Sequence, residues 1–223
     1  MERFVCLILG YICGLFQTGY IYGRLHHIDI RKHGSGNAGT TNALRTLGWK
    51  AGAVTFLGDS LKCVLAVAIA YMIYGKSHNE MFELLAMYAG IGAVLGHNFP
   101  FYLNFKGGKG IAATAGLLLA VNPKVALVAM VTFIIVVGVT RYVSLGSIIL
   151  VVIFGIGMVV QGEVFGTTLS QSQQYELYAL SVFLMVLAVY KHRENIKRLC
   201  NGTENQLKFG KKLDNRIWQM KVY

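Results

Sequence analysis

Ile111–Thr140 reads IAATAGLLLAVNPKVALVAMVTFIIVVGVT, thirty residues with no acid and one base, Lys124. As a single α-helix it would rise about 45 Å at ~1.5 Å per residue, against a bilayer hydrocarbon core of about 30 Å. Asn122-Pro123 is a natural break inside it, because proline lacks the amide that an inner helical turn needs. The stretch is either one long tilted helix or two short spans. That choice fixes the parity of the whole chain.

The other apolar runs are 4–22, 51–74, 83–99, 145–161 and 175–190. Two short spans at 111–122 and 124–140 bring the total to seven. Loops 23–50, 96–110 and 141–144 then share a side with the C-terminal tail, and that side holds seventeen of the twenty-one Lys and Arg. A single span would put Arg141 and the nine basic residues of the tail opposite the first two basic loops. The positive-inside rule selects seven spans, with the N-terminus outside and the C-terminus cytoplasmic. Segment 162–174, with one acid and no base, suits the outer face. The two short spans must recruit flanking residues or thin the bilayer.

Composition agrees with an all-α integral membrane protein. The 223 residues are 55% hydrophobic and 14% charged, where a soluble domain carries about 25% charged residues. Residues 1–212 read as a single membrane domain, and 213–223 as a short extension of unassigned role. Phe4–Tyr22 is too long for a signal-peptide core and lacks a basic lead and a small-residue cleavage site, so it reads as a retained first span. Cys6, Cys13, Cys63 and Cys200 form no C-x-x-C pair and no zinc-type spacing with histidine. The net charge of +11 lies in loops and carries no basic stripe with interleaved aromatics, which points to anionic lipid rather than nucleic acid.

Two glycine-rich basic loops interrupt the spans. RKHGSGNAGTTNALRTLG (31–48) sets Ser35, Gly36, Asn37, Thr41 and Asn42 ahead of Arg45. Small residues let backbone amides approach a phosphate, and a guanidinium can pair with it bidentately. A polar turn with helix caps at Ser35 and Thr41 explains the same residues equally well. GHNFPFYLNFKGGKG (96–110) offers His97, Asn98, Lys106, Gly107, Gly108 and Lys109 at the start of an apolar helix, a natural anion site. Its alternative is a basic membrane anchor, which leaves the three glycines unexplained. Asp59 and Lys62, spaced i, i+3 inside a span, read as a structural ion pair. RYVSLGS (141–147) reads as a capping turn, and His192, Asn195 and Leu199 as one face of a basic helix leaving the bilayer.

Taken in order, GSGNAGTTNALRTLG, GHNFPFYLNFKGGKGIAA, and RYVSLGS with HRENIKRLCNGTEN resemble the motifs of the bacterial membrane-integral acyl-phosphate:glycerol-3-phosphate acyltransferases, the PlsY family. The resemblance runs from Arg31 to about Lys212. It departs at Ala113, where the family pattern suggests a threonine that here stands at 114. It implies a seven-span enzyme of the bacterial cell membrane with its motifs on the cytoplasmic face. The implied reaction moves a fatty acyl group from acyl phosphate to the 1-hydroxyl of glycerol 3-phosphate. The products are 1-acylglycerol 3-phosphate (lysophosphatidate) and phosphate, at the start of phospholipid biosynthesis. No cofactor and no metal are implied, and the chain is expected to act as a monomer in lipid.

The resemblance raises Ser144 and Ser147 to substrate-binding residues beside those of the two loops. It also adds His192, Asn195 and Glu204 to Arg45 and Lys109 as catalytic residues, with Glu204 expected to orient Arg45 or a loop lysine. Acyl phosphate is already activated, so no covalent enzyme intermediate is needed. The H-x-x-x-x-D pattern of acyl-CoA-dependent acyltransferases is absent. Deprotonation by a substrate phosphate is the expected route, with His192 second in line. The rival from another class is a transporter of a phosphorylated metabolite. That would need basic residues at mid-bilayer and often an internal repeat, and neither is visible.

Overall fold

The computed structural model describes residues 1–207, so the extension at 213–223 lies outside the described residues. Ten α-helices are present among them: α1 (Glu2–Gly14), α2 (Thr18–Leu25), α3 (Thr40–Leu47), α4 (Trp49–Tyr74), α5 (Phe82–Asn98), α6 (Ile111–Val121), α7 (Pro123–Thr140), α8 (Val143–Phe165), α9 (Gln171–Lys191) and α10 (Arg193–Cys200). By length and apolar composition, five stretches can cross a membrane: Glu2–Leu25, Trp49–Tyr74, Asn79–Leu103, Pro123–Thr140 and Val143–Phe165. α6 is apolar but has only 11 residues, and α9 opens with a polar turn, QSQQ.

The stretch 111–140 is broken at Asn122-Pro123. Asn122 caps α7, its Oδ1 accepting from the Val125 amide at 3.1 Å, and Pro123 takes the first helical position where its missing N–H costs nothing. The chain reverses there. Ile111 at the start of α6 and Val137 near the end of α7 line the same cavity, whereas Val121 and Asn122 line a cavity at the opposite end of the bundle.

The first apolar run is not one helix. It stops at Gly14 and restarts at Thr18. Buried Gln17 bridges the gap, its Nε2 donating to the carbonyls of Gly96 (3.3 Å) and His97 (3.1 Å) on α5. α1 and α5 meet along a seam of glycines. A methyl group built on Gly10 or Gly14 would overlap the carbonyl oxygens of Ala89 or Ala93, and one on Gly92 or Gly96 those of Leu7 or Tyr11. Both helices thus present a small-x-x-x-small face, which lets backbones touch where lipid offers no hydrophobic drive. At the end away from Gly96, Arg3 forms a two-pronged ion pair with Glu176 of α9 (2.7 and 2.8 Å), and Tyr88 donates to the same carboxylate at 2.6 Å.

The first loop folds as a small unit with its own core of Ile30, Ala38, Ala43 and Ala51. Asn42 organises it. Its Oδ1 accepts from the Ser35 amide at 2.8 Å, and its Nδ2 reaches the carbonyls of Ile30, His33 and Asn37 at 2.8–3.0 Å. The N-cap position of α3 is Gly39, so neither Ser35 nor Thr41 acts as its cap.

Candidate active site

A cavity of about 300 Å³ opens where the two glycine-rich loops, the α7–α8 turn and α10 converge. All five residues expected to be catalytic line it: Arg45 from α3, Lys109 just before α6, His192 and Asn195 around the start of α10, and Glu204 beyond it. So do Ser35, Asn37, Thr41, Asn42, His97, Ser144 and Ser147. The opposite wall is apolar, with Phe56, Ile111, Phe133 and Val137. Residues 201–207 cross the mouth, where the Asn205 carbonyl accepts from Arg45 Nη2 at 3.1 Å and Leu207 N–H donates to the Arg141 carbonyl at 2.7 Å.

Gly36, Asn98, Lys106, Gly107 and Gly108 do not line this cavity. The two glycines serve packing rather than ligand approach. A Cβ on Gly107 would overlap the His97 carbonyl, and one on Gly108 the His97 ring. Their amides are also spent, Gly107 N–H on the Asn98 carbonyl (3.2 Å) and Gly108 N–H on that of His97 (3.1 Å). Asn42 faces the cavity, but its amide is committed to holding the first loop in shape.

The tail is wired to the loops. Glu204 is buried; its Oε2 accepts from Arg198 Nε at 2.8 Å and its Oε1 from Asn195 Nδ2 at 2.9 Å. Neither of the expected partners, Arg45 or a loop lysine, bonds it directly: Arg198, six residues away on α10, takes that place. Glu204 thereby fixes the Asn195 amide with its oxygen toward Lys109, whose Nζ donates to it. Outside the cavity, Lys191 ties the end of α9 to the second loop, its ammonium 4.6 Å above the Phe99 ring and 3.3 Å from the Asn98 carbonyl.

Two ionisable groups are strongly perturbed. Burial pushes the Lys109 ammonium down to about 8, with Arg198 and Arg45 adding to the fall against the pull of Glu204. Burial likewise pushes the His192 imidazole down to about 4, helped by Lys109. His192 Nδ1 lies 2.8 Å from the Ala188 carbonyl, which can only accept, so the proton sits on Nδ1 and Nε2 keeps its lone pair. Beneath the cavity lies a network that the sequence shows only in part. Lys62 Nζ donates to Asp59 Oδ1 (2.9 Å), to His97 Nδ1 (2.8 Å) and to the Phe16 carbonyl (2.6 Å) left open by the α1–α2 break.

Chemically, the cavity can hold anions between two cations delivered by separate loops, next to an apolar wall. Known proteins agree. Residues 4–202 match the family model described as glycerol-3-phosphate acyltransferase. The chain is 43% identical over 208 residues to the glycerol-3-phosphate acyltransferase of Alkaliphilus metalliredigens, covering 93% of this chain and 97% of that one. It is 44% identical to that of Clostridioides difficile over 205 residues, covering 91% and 94%. Its fold matches crystal structures of PlsY, an integral membrane glycerol 3-phosphate acyltransferase, in a glycerol 3-phosphate form (TM-score 0.79, 32% identity, 93% of this chain and 96% of that one) and a lysophosphatidic acid form (TM-score 0.77, 31% identity, the same coverage). The chain belongs to the glycerol-3-phosphate acyltransferase family of integral membrane enzymes that serve phospholipid biosynthesis.

Proposed function

We propose that the acyl donor is acyl phosphate, and that the products are 1-acylglycerol 3-phosphate and inorganic phosphate. The observation that carries this is the meeting of Arg45 and Lys109, one cation from each loop, in a single cavity with a lipid-like wall. Both substrates are then phosphates, one of them bearing an apolar chain. The 1-hydroxyl oxygen bonds to the acyl carbon, the bond from that carbon to the phosphate oxygen breaks, and phosphate leaves. The hydroxyl proton goes to a phosphate oxygen. His192 is neutral at pH 7 and its Nε2 is a weak base, so it suits aligning the hydroxyl better than removing its proton. Lys109 and Arg45 offset charge on the leaving and spectator phosphates. Nothing about the cavity favours transport over this chemistry.

Purified protein supplied with glycerol 3-phosphate and acyl phosphate should release phosphate and lysophosphatidate in equal amounts. Turnover with acyl-CoA and none with acyl phosphate would overturn the donor assignment.

The seven-span reading is also proposed, with α1–α2, α4, α5, α6, α7, α8 and α9 as the crossings, the N-terminus outside and the cavity facing the cytoplasm. Its support is the reversal at Asn122-Pro123 and the gathering of Lys and Arg on one side. In a Cys200→Ser background, a membrane-impermeant thiol reagent added from outside should label cysteines placed at Lys76 and Gln171, and not at Lys106 or Gln206. Labelling at Gln206 would reverse the orientation.

A further inference from the structure

Asp59 is 1% exposed, lines the cavity, and is only half used. Its Oδ1 accepts from Lys62 Nζ at 2.9 Å and from Thr18 Oγ1 at 3.1 Å, with His97 Nδ1 at 3.6 Å. Its Oδ2 is buried and has no hydrogen-bond partner among the described residues. Lys62 cannot turn to it. An ammonium has three N–H groups, and all three are spent on Phe16, Asp59 and His97. A buried carboxylate oxygen without a donor is costly, so a ligand that brings one gains that cost back.

The chemistry of the donor is restricted. A phosphate oxygen would be repelled by the carboxylate. A metal ion has little to hold it, since no group of three or more His, Cys, Asp or Glu suited to one occurs among the described residues. A neutral hydroxyl fits. Resting on the proposed reaction, the acceptor substrate carries two hydroxyls. The reacting 1-hydroxyl sits where negative charge develops on the acyl carbonyl, and an anionic neighbour there would raise the barrier. The 2-hydroxyl is a spectator and suffers no such penalty.

We propose that Asp59 Oδ2 accepts the 2-hydroxyl of bound glycerol 3-phosphate, making Asp59 a specificity-determining residue that presents the 1-hydroxyl to the acyl carbon. Lys62 is then a positioning residue. It fixes the carboxylate plane of Asp59 through Oδ1, and by donating to His97 Nδ1 it places the His97 proton on Nε2.

The test compares glycerol 3-phosphate with propane-1,3-diol monophosphate, which lacks only the 2-hydroxyl. A site built to bond a hydroxyl rejects the analogue without it, and wild-type protein should prefer glycerol 3-phosphate by roughly 10²-fold in kcat/KM. Single removal of Asp59 would leave Lys62 buried and unpaired, so the variants are paired: Asp59→Leu with Lys62→Met, which keeps the volume, and Asp59→Asn with Lys62→Gln, which keeps a polar contact. In Asp59→Leu with Lys62→Met the preference should collapse to less than about 3-fold, chiefly through a rise in KM for glycerol 3-phosphate, whereas Asp59→Asn with Lys62→Gln, whose amide oxygen can still accept the hydroxyl, should keep part of it. Equal wild-type use of the two acceptors overturns the proposal, even if neither paired variant folds. So does a variant that slows both acceptors by the same factor, the signature of a structural role or of a water held at Oδ2. Failure of wild-type protein to acylate glycerol 3-phosphate at all would instead overturn the reaction on which the inference rests.

Discussion

Lys109→Met should lower kcat/KM by at least ~10²-fold while the protein inserts and folds as wild type. A charge-assisted hydrogen bond to a buried phosphate is worth about 1.5–3 kcal/mol, and about 1.4 kcal/mol is one decade in rate. Lys109 is also the cation that Asn195 aims into the cavity, so its charge acts on the leaving phosphate as the bond breaks. The pH profile gives an independent sign. Burial holds Lys109 down to about 8, so the free enzyme carries the ammonium below that pH and loses it above. The quantity kcat/KM reports the free enzyme and should fall as pH rises through about 8. Lys109→Arg should retain some activity and move that fall well above pH 9. Near-normal kcat/KM in Lys109→Met would remove Lys109 from the reaction.

Glu204→Ala should cost roughly as much, on the order of 10²-fold, although the carboxylate touches no phosphate. Removing it frees the Asn195 amide to turn over, takes its oxygen from Lys109, and leaves the Arg198 cation unpaired beside that lysine. Glu204→Gln should be milder than Glu204→Ala, since a side-chain oxygen still accepts from Asn195. Arg198→Ala should fall between them. Arg193→Ala should change little, because its exposed guanidinium stacks over Tyr190, donates to the Tyr190 carbonyl and faces Glu194, none of which lines the cavity. Steady-state kinetics on purified variants, with thermal unfolding as the control for fold, read this order directly. Arg193→Ala more damaging than Arg198→Ala would break the proposed chain of contacts.

The break at Asn122-Pro123 was legible because both residues act locally. Proline cannot continue a helix, asparagine caps one, and neither effect depends on distant packing. The loops were legible for a similar reason: glycine, hydroxyl and basic residues crowd into segments too polar to span. What stayed hidden is non-local. Asp59 and Lys62 show as a helical pair, but nothing in the sequence brings His97 thirty-five positions onward to the same ammonium, or opens the Phe16 carbonyl to it. Gly107 and Gly108 look like ligand clearance in sequence and turn out to clear the His97 ring. Glu204 was expected to meet Arg45 or a loop lysine, and its carboxylate bonds instead to Arg198 on the preceding helix, α10. α9 keeps a polar first turn, which is why hydropathy alone gives it little weight among the seven proposed spans.

The glycine seam between α1 and α5 sets a timetable for assembly. Gly10 and Gly92 sit against each other although 82 positions separate them. At about 5–20 residues per second of synthesis, α1 waits on the order of 4 to 16 s in the bilayer before its partner emerges. During that interval its notched face meets only lipid, or any other helix with a matching groove. α4 is made in between and must leave the notch vacant. α1 is thus in the membrane well before the helix that fixes its place.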